Sequence, residues 1–196
     1  MKRLIFVSGL IILSVSSLLA QETTQQNRSY GILFMAGMRY DDVRMCVATD
    51  AGEKGGSMAD VQLVIRWELS DDKTLAFNLP VMRPILFFSA FNMLQFEPEV
   101  NLEMYIKLEN GTTIITGPGL GISFHYGPDY ESDLEDRGES FAAVGPIFNW
   151  KWAIVLNPDR NSLKTIGAKV FYTPLFAEDH ADGKVIGAAL EYQMGF

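Results

Sequence analysis

Apolar and polar residues alternate along most of the chain with a period of two. Near its end, Leu190, Tyr192, Met194 and Phe196 are apolar, whereas the residues between them are small or polar. Successive side chains of a β-strand point to opposite faces, so this period predicts strands with one apolar and one polar face. Eight segments show it: Tyr30–Tyr40, Ala59–Leu69, Thr74–Met82, Gln95–Leu108, Thr112–Tyr126, Ser140–Leu156, Ser162–Phe176 and Lys184–Phe196. The pattern predicts an all-β fold.

The connections between these segments alternate between long and short. Asn110-Gly111 is a strong hairpin signal, whereas the connections 41–58, 83–94 and 127–139 are long. An even number of strands, with short turns on the periplasmic side and longer loops outside, is typical of bacterial outer-membrane barrels. The rhythm therefore predicts an eight-stranded antiparallel up-and-down transmembrane β-barrel.

A soluble barrel of the lipocalin type, or a β-sandwich, would show the same alternation. The composition of the two faces separates these alternatives. Glycines such as Gly117, Gly119 and Gly121 lie on the polar face, where small residues suit the crowded interior of an eight-stranded barrel. The large aromatics lie on the apolar face. This distribution favours a barrel whose apolar face contacts lipid.

Aromatic residues lie near the ends of the predicted strands. Membrane barrels carry such residues in girdles at both interfaces. The predicted interface aromatics are Tyr30, Tyr40, Trp67, Tyr126, Trp152, Tyr172 and Phe196.

The predicted polar faces carry nearly balanced charges. The predicted lumen network consists of Arg39, Asp60, Arg66, Glu68, Glu97, Glu99, Glu103, Lys107, Lys151, Lys169 and Glu191. Charges in so narrow a space are tolerable only when they are paired and hydrogen-bonded. We expect a packed salt-bridge plug, with an ion or proton path as the alternative.

The N-terminal 20 residues have the organisation of a secretory signal peptide. Lys2 and Arg3 precede an apolar run, and small residues lead to Ala20. We therefore expect a signal peptide at 1–20, a periplasmic lead-in at 21–29 and the barrel at 30–196.

Charge and cysteine content exclude other classes. The formal net charge is −8 before Lys2 and Arg3 are removed, so binding to nucleic acid is not expected. Cys46 is the single cysteine, which excludes an intramolecular disulfide. No cofactor or metal site is expected from the sequence.

The final strand resembles the C-terminal assembly signal of bacterial outer-membrane barrels. Its Tyr192, Met194 and Phe196 alternate on the apolar face, and the aromatic Phe196 is terminal. The chain as a whole resembles the small eight-stranded outer-membrane barrels, the group that includes the OmpA transmembrane domain and OmpX-like and OmpW-like proteins. The resemblance implies an outer-membrane location in a Gram-negative-type bacterium. It also implies contact with outer-membrane lipids and lipopolysaccharide, and recognition of the last strand by the barrel-assembly machinery.

Ser123 and His125 are the weak candidates for catalysis. They lie two residues apart on one face of a predicted strand, so their side chains point the same way. Small lipid A deacylases and palmitoyltransferases of the outer membrane use a serine, a histidine and an acid. The order Ser-Phe-His does not match the deacylase motif, and no acid is identifiable. We therefore favour polar residues at the barrel rim over a catalytic pair.

Pro118, Pro146 and Pro174 interrupt three predicted strands. We interpret them as bulges near the rims. The alternative is weakened strand pairing that admits lipid sideways, as the resemblance to palmitoyltransferases would imply.

Two connections suggest interaction surfaces. The loop 83–94 is rich in apolar residues, which indicates contact with other apolar material. Three interpretations stay open: the loop extends the neighbouring strands, lies on the lipid surface or binds an external partner. The loop 127–139 is strongly acidic, and we favour a solvated surface over a divalent-cation site because it lacks EF-hand spacing. We expect a non-enzymatic outer-membrane barrel with a structural or surface-interaction role. The alternatives are a lipid A-modifying enzyme or a narrow channel for small or hydrophobic molecules.

Overall fold

The structure is a computed structural model that describes residues 28–41, 55–82, 94–128, 140–157, 162–177 and 182–196. Nearly all of these residues belong to nine β-strands: β1 (Arg28–Asp41), β2 (Gly55–Ser70), β3 (Lys73–Met82), β4 (Leu94–Phe96), β5 (Glu99–Lys107), β6 (Thr113–Pro128), β7 (Ser140–Asn157), β8 (Lys164–Ala177) and β9 (Gly183–Gly195). None of the described residues forms a helix long and apolar enough to cross a membrane.

The strands form one closed antiparallel barrel. Neighbouring strands pair along the chain, except that β3 pairs with β5 and that β6 pairs with both β4 and β5. Strand β9 returns to pair with β1 from Gly31↔Gly195 to Asp41↔Val185. The short strands β4 and β5 both pair with β6 and are consecutive parts of one barrel strand. The barrel therefore has eight strands, which confirms the predicted fold class.

The two ends of the barrel differ in their connections. The end that carries the chain termini of the barrel and the short turns is called the turn end, and the opposite end is called the loop end. At the turn end, Gly111 has a φ of 82°, a left-handed conformation that glycine adopts without steric penalty. Its N–H donates to the carbonyl of Leu108 at 3.0 Å, which closes the hairpin predicted from Asn110-Gly111.

The fourth predicted strand is not continuous. It breaks at Glu97-Pro98, because Pro98 has no N–H to donate to a ladder. The carbonyl of Pro98 still accepts a hydrogen bond from the Ile122 N–H at 3.2 Å. The break therefore leaves both segments attached to β6.

The prediction of bulges at the three prolines is wrong. The register shifts of the barrel lie at Val61/Gln62, Glu68/Ser70 and Val155/Asn157 instead. Between β7 and β8, pairing stops after Val144↔Phe176 and resumes at Phe148↔Tyr172 with unchanged register.

That register places Pro146 opposite Pro174, so two residues without an N–H face each other across the gap. A similar interruption on the β5 side of Pro118 lies between Asn101↔Gly119 and Met104↔Thr116. The prolines therefore remove ladder bonds without adding a residue to either strand.

Burial alternates along the strands and separates the two faces of the wall. On β1, for example, Leu33 and Met35 are buried while Phe34 and Met38 are exposed. The interior contains polar groups and also two apolar clusters. The larger, called the apolar cluster, contains Met35, Met58, Ala143, Ile147, Phe171, Leu175, Val185 and Ala189. The smaller contains Leu33, Val64 and Ala76.

Several predicted features lie outside the described residues. These are the signal peptide 1–20, the lead-in up to residue 27, Cys46, most of the apolar loop 83–94 and nearly all of the acidic loop 127–139.

Candidate functional site

The strand period brings charged side chains from six strands into the barrel interior. Nine of the eleven residues proposed for the lumen network are buried: Arg39, Asp60, Arg66, Glu97, Glu99, Glu103, Lys151, Lys169 and Glu191. Of the remaining two, Glu68 is partly buried and Lys107 is exposed, and both line the turn-end opening. Eight of these nine residues belong to three groups along the barrel axis, and the ninth, Asp60, accepts a 2.8 Å hydrogen bond from Gln62.

The turn-end cluster consists of Arg66, Glu103, Tyr105 and Lys151. Glu103 accepts a 2.9 Å hydrogen bond from Arg66 Nε and a 2.6 Å hydrogen bond from Lys151 Nζ. The Tyr105 hydroxyl lies 3.4 Å from the same carboxylate. Glu103 on β5 is therefore held between two cations, Arg66 from β2 on one side and Lys151 from β7 on the other. This pairing compensates the burial of three charges.

The central cluster joins Glu99, Asn149, Lys169 and Glu191. Lys169 Nζ lies 3.0 Å and 3.1 Å from the two Glu99 oxygens and 3.8 Å from Glu191. Asn149 Nδ2 donates to Glu99 at 2.7 Å. Lys151 and Lys169 are direct neighbours across β7 and β8, and each reaches a different glutamate. Each lysine therefore has its own glutamate, and this pairing offsets the repulsion between two adjacent like charges.

Close packing around this cluster leaves no room at Gly119. A Cβ atom built on Gly119 would collide with the side chains of Asn101 and Asn149. Glycine leaves this space to the amide side chains of the adjacent strands β5 and β7, which lie over its backbone.

The loop-end cluster contains Arg39, Asp41, Glu97, Ser123 and His125. Arg39 contacts Asp41 at 3.1 Å and donates to Gln95 at 2.9 Å. Glu97 Oε1 accepts a 2.7 Å hydrogen bond from Ser123 Oγ and lies 3.1 Å from His125 Nε2. The other ring nitrogen of His125 is 4.0 Å from Asp41. The cluster ties β1, the Glu97-Pro98 break and β6 together.

The placement of Ser123 and His125 at the rim is wrong, because their exposed fractions are 0% and 2%. The acid that the sequence did not identify is Glu97, contributed by the broken strand. The order of contacts differs from a nucleophilic triad, in which histidine accepts the serine proton and the acid binds the other ring nitrogen. Here Ser123 and His125 both meet the same Glu97 oxygen. Serine therefore directs its proton to a carboxylate, which leaves histidine without the general-base contact.

Two interior features were missed by the sequence reasoning. Asp41 was assigned to a long loop, yet it ends β1 and is fully buried beside Arg39. The apolar cluster was also missed, although Phe171 and Leu175 share the lumen face with Lys169 at every second position. That spacing was the available signal. Among the described residues, no group of three or more potential ligands could hold a metal ion.

The aromatic and C-terminal residues lie on the outer surface. Tyr30, Tyr40, Tyr126, Trp152 and Tyr172 are exposed, Trp67 is partly exposed, and Tyr192, Met194 and Phe196 follow one another along the outer face of β9 and its end. The Phe196 N–H donates to the Tyr30 carbonyl at 2.9 Å, so the last residue closes the seam with β1.

Comparisons with known proteins yield similar structures only. No protein-family model and no curated protein matches the sequence. The fold is similar to that of small eight-stranded outer-membrane barrels. Neisserial surface protein A is 8% identical, with a TM-score of 0.49 over 87% of this chain and 99% of that one.

Two structures from Pseudomonas aeruginosa are also similar. The N-terminal β-barrel domain of OprF is 12% identical, with a TM-score of 0.43 over 88% of this chain and 100% of that one. The outer membrane protein OprG is 10% identical, with a TM-score of 0.41 over 89% of this chain and 99% of that one. At these identities the similarity concerns the fold.

Proposed function

We propose that this protein is an integral outer-membrane barrel that is closed to ions and acts as a structural or surface-interaction protein. The observation that supports membrane insertion is the continuous apolar outer surface. Large apolar side chains are exposed on every full-length barrel strand, among them Phe34, Leu63, Leu120, Phe148 and Leu190. In water so large an exposed apolar surface is unfavourable, whereas in a bilayer it is the lipid-facing band of a barrel.

The closed lumen is inferred from the three charge clusters. In an eight-stranded barrel the interior is just wide enough for side chains to fill. The ion pairs of Glu103 and Glu99 reach across this space, and the apolar cluster occupies the loop-end half beside them. Hydrated ions would have to separate these pairs in order to pass.

Planar-bilayer recording tests the closed lumen. The purified barrel inserted into a bilayer is expected to give no steady ion conductance. A persistently open channel in the wild-type protein would contradict the plug and favour the alternative of an ion path.

Surface interaction is assigned to the loop end, with the apolar loop 83–94 as the contact for an external partner. Replacing this loop by a glycine-serine linker of equal length should leave heat-modifiable migration on gels unchanged. Adhesion of cells that express the variant to a surface to which wild-type cells adhere should fall. Unchanged binding would remove the loop from the interaction.

The proposed partners in the membrane follow from the same outer surface. Outer-membrane lipids and lipopolysaccharide would contact the apolar belt, and the assembly machinery would recognise Tyr192, Met194 and Phe196. Deleting Phe196 should reduce the amount of folded barrel in outer-membrane fractions. A soluble periplasmic product from the intact gene would contradict the proposed location.

A non-enzymatic role is supported by the arrangement at Glu97, where Ser123 has no basic partner among the described residues. Mass spectrometry of lipid A from cells that express the wild type or the S123A/H125A variant tests it. The two spectra are expected to be identical. A modified lipid A species that depends on Ser123 or His125 would favour the lipid A-modifying alternative.

One observation favours a second candidate function, a narrow passage for small hydrophobic molecules. The gap in pairing at Pro146 and Pro174 lies beside Ile147 and Leu175 of the apolar cluster, so the wall lacks ladder bonds where its interior is apolar. If hydrophobic molecules pass through this gap, restoring the ladder bonds between β7 and β8 should block them. The P146A/P174A variant should therefore reduce uptake of an apolar fluorescent probe if this role is real, and leave it unchanged if the barrel is closed.

A further inference from the structure

A groove of about 300 Å³ lies on the outer face of the barrel near the loop end, and it is called the outer groove. Five outward-facing residues from three adjacent strands line it: Phe124 and Tyr126 on β6, Ala142 and Val144 on β7, and Phe176 on β8. These five residues carry no charge, and the Tyr126 hydroxyl is their single polar group. The outer groove is therefore an apolar depression in the outer surface.

The register of the three strands explains this depression. Val144 on β7 is opposite Phe124 on one side and Phe176 on the other. Ala142 is opposite Tyr126. Small side chains on the middle strand thus form a floor, and aromatic rings on the flanking strands form two walls. Neighbouring strands lie roughly 4.8 Å apart, so the two wall strands are separated by roughly 10 Å, and their rings leave a width comparable to one hydrocarbon chain.

The floor has a defined length along β7. Large exposed side chains return at Phe148 and Trp150, which close the outer groove toward the middle of the barrel. Ala142 and Phe148 are six residues apart in the sequence, which is roughly 20 Å along a strand. A strand tilted by roughly 45° covers about 14 Å of bilayer depth over that distance, and half of the hydrocarbon core is about 15 Å thick. The floor therefore matches the depth of one leaflet.

A comparison with β9 shows that the depression is local. Ala188 is also small and exposed on the outer face, and it is opposite Met38 and Val170. The next outward-facing residues on β9, Ile186 and Leu190, are large and exposed, so Ala188 is an isolated small position. The outer groove requires two successive small positions, which β7 provides and this part of β9 does not.

An unfilled groove in this surface would be unfavourable inside a bilayer. Atoms that line a void lose the dispersion contacts that they would make with a neighbour. A flexible hydrocarbon chain supplies these contacts along the whole floor, whereas a charged ligand would find no partner among the five lining residues. The chemistry of the outer groove therefore matches an acyl chain.

We propose that the outer groove binds one acyl chain of lipopolysaccharide. The chain lies on Ala142 and Val144 between the rings of Phe124 and Phe176, and its polar end meets the interface at Tyr126. The choice of lipid follows from the external position of the loop end, because lipopolysaccharide forms the external leaflet of this type of membrane. The inference rests on the proposed function and adds a defined site to the general contact with lipid.

Retention of lipid tests the site with the full chain purified from outer membranes in a mild detergent. Gel filtration removes loosely associated lipid, and mass spectrometry then counts the lipopolysaccharide that stays bound. One molecule per barrel is expected to remain. Loss of all lipopolysaccharide during the wash would overturn the site. Retention of phospholipid in its place would overturn the choice of lipopolysaccharide.

Matched variants assign the retained lipid to the outer groove. Ala142→Phe fills the floor, and retention should fall about tenfold, the factor that corresponds to displacing roughly two methylene groups. Ala188→Phe adds the same ring to the outer face outside the groove, and retention should be unchanged. Equal retention by A142F and the wild type would place the lipid elsewhere and overturn the proposal. An equal fall in both variants would indicate a general effect of added volume and would also overturn it.

A further variant and an independent measurement separate this site from membrane insertion. Phe176→Ala removes one wall without adding volume, so retention should also fall if A142F does not fold. Heat-modifiable migration and recovery in outer-membrane fractions report folding and location for every variant. A wild-type barrel absent from the outer membrane would contradict the proposed function itself. A wild-type barrel that is folded in the outer membrane but retains no lipid would overturn only the outer groove.

Discussion

The turn-end cluster and the apolar cluster fill the barrel interior with different chemistry. In the turn-end half, Glu103 is held between Arg66 and Lys151, and the three charges depend on one another. In the loop-end half, the apolar cluster occupies one side of the lumen, and the loop-end cluster around Glu97 occupies the other. The same narrow lumen therefore contains both buried ion pairs and packed apolar side chains.

The difference lies in what each filling requires. Buried charges are tolerated only when each has its partner, so the loss of one member leaves the others uncompensated. Apolar side chains require only complementary volume, so a substitution that conserves volume is tolerated. The turn-end cluster should therefore be sensitive to chemistry, and the apolar cluster to size.

The largest effect is expected for Glu103→Ala. The substitution leaves both Arg66 and Lys151 buried without their anion, and we expect a loss of about 3–5 kcal/mol in the free energy of unfolding. Urea titration of the refolded barrel, followed by tryptophan fluorescence, measures it. Glu109→Gln, in the exposed turn, is the control and should change stability by no more than about 0.5 kcal/mol. A loss below about 1 kcal/mol for E103A would show that the triad is not coupled.

In the apolar cluster, Leu175→Ala is expected to lower the free energy of unfolding by about 2–4 kcal/mol. Leu175 is fully buried, and truncation would leave a cavity among Ile147, Phe171 and Val185. Leu175→Met conserves the volume and should lower stability by less than about 1.5 kcal/mol. If the two variants were equally destabilised in the same urea titration, size would not be the requirement of the apolar cluster.

Gly119→Ala tests the space beside the central cluster. The added methyl group would collide with Asn101 and Asn149, so we expect destabilisation by about 1–3 kcal/mol. The matched control is Ala142→Val, which adds volume on the exposed outer face and should have little effect. Equal stability of G119A and the wild type would indicate free volume in the lumen.

The smallest effect concerns a carboxylate outside the barrel wall. The hydrogen bond from Ser70 to Asp72 lowers the pKa of this exposed side chain below 3.8, with a smaller contribution from Lys73. A lowered pKa in the folded state favours folding above the unfolded-state pKa, and this contribution is lost as the pH falls through the folded-state pKa. Ser70→Ala should raise the Asp72 pKa toward 3.8 in a carboxyl NMR titration. An unchanged pKa would assign the shift to Lys73 instead.

The sequence predicts the direction of side chains well where a strand has one polar face. The alternation of Glu99 and Glu103 with Val100 and Leu102 predicts that both glutamates lie inside, and both are buried. Their partners could not be derived, because Lys151 and Lys169 come from strands some 50 to 70 residues away. A period within one strand carries no information on which distant side chain faces it.

Where both faces of a strand are apolar, the two-residue period does not indicate which face points into the barrel. On β8, Val170 and Tyr172 face outward while Phe171 and Leu175 point inward, so hydrophobicity could not distinguish lipid from core. The assignment of Ser123 and His125 to a rim was wrong for a related reason. Their position depends on where β6 ends and on Glu97 turning inward at the strand break.

By itself, the sequence determined the number of barrel strands, the hairpin at Asn110-Gly111 and the sides of the wall that carry most charges. These properties are local, because they follow from alternation along a strand and from the conformations available to individual residues. Only the tertiary structure decided the register in which β9 meets β1, that Glu103 is shared by two cations and that an apolar cluster lies beside the loop-end cluster. These properties depend on closure of the barrel, which brings residues together that are distant along the chain.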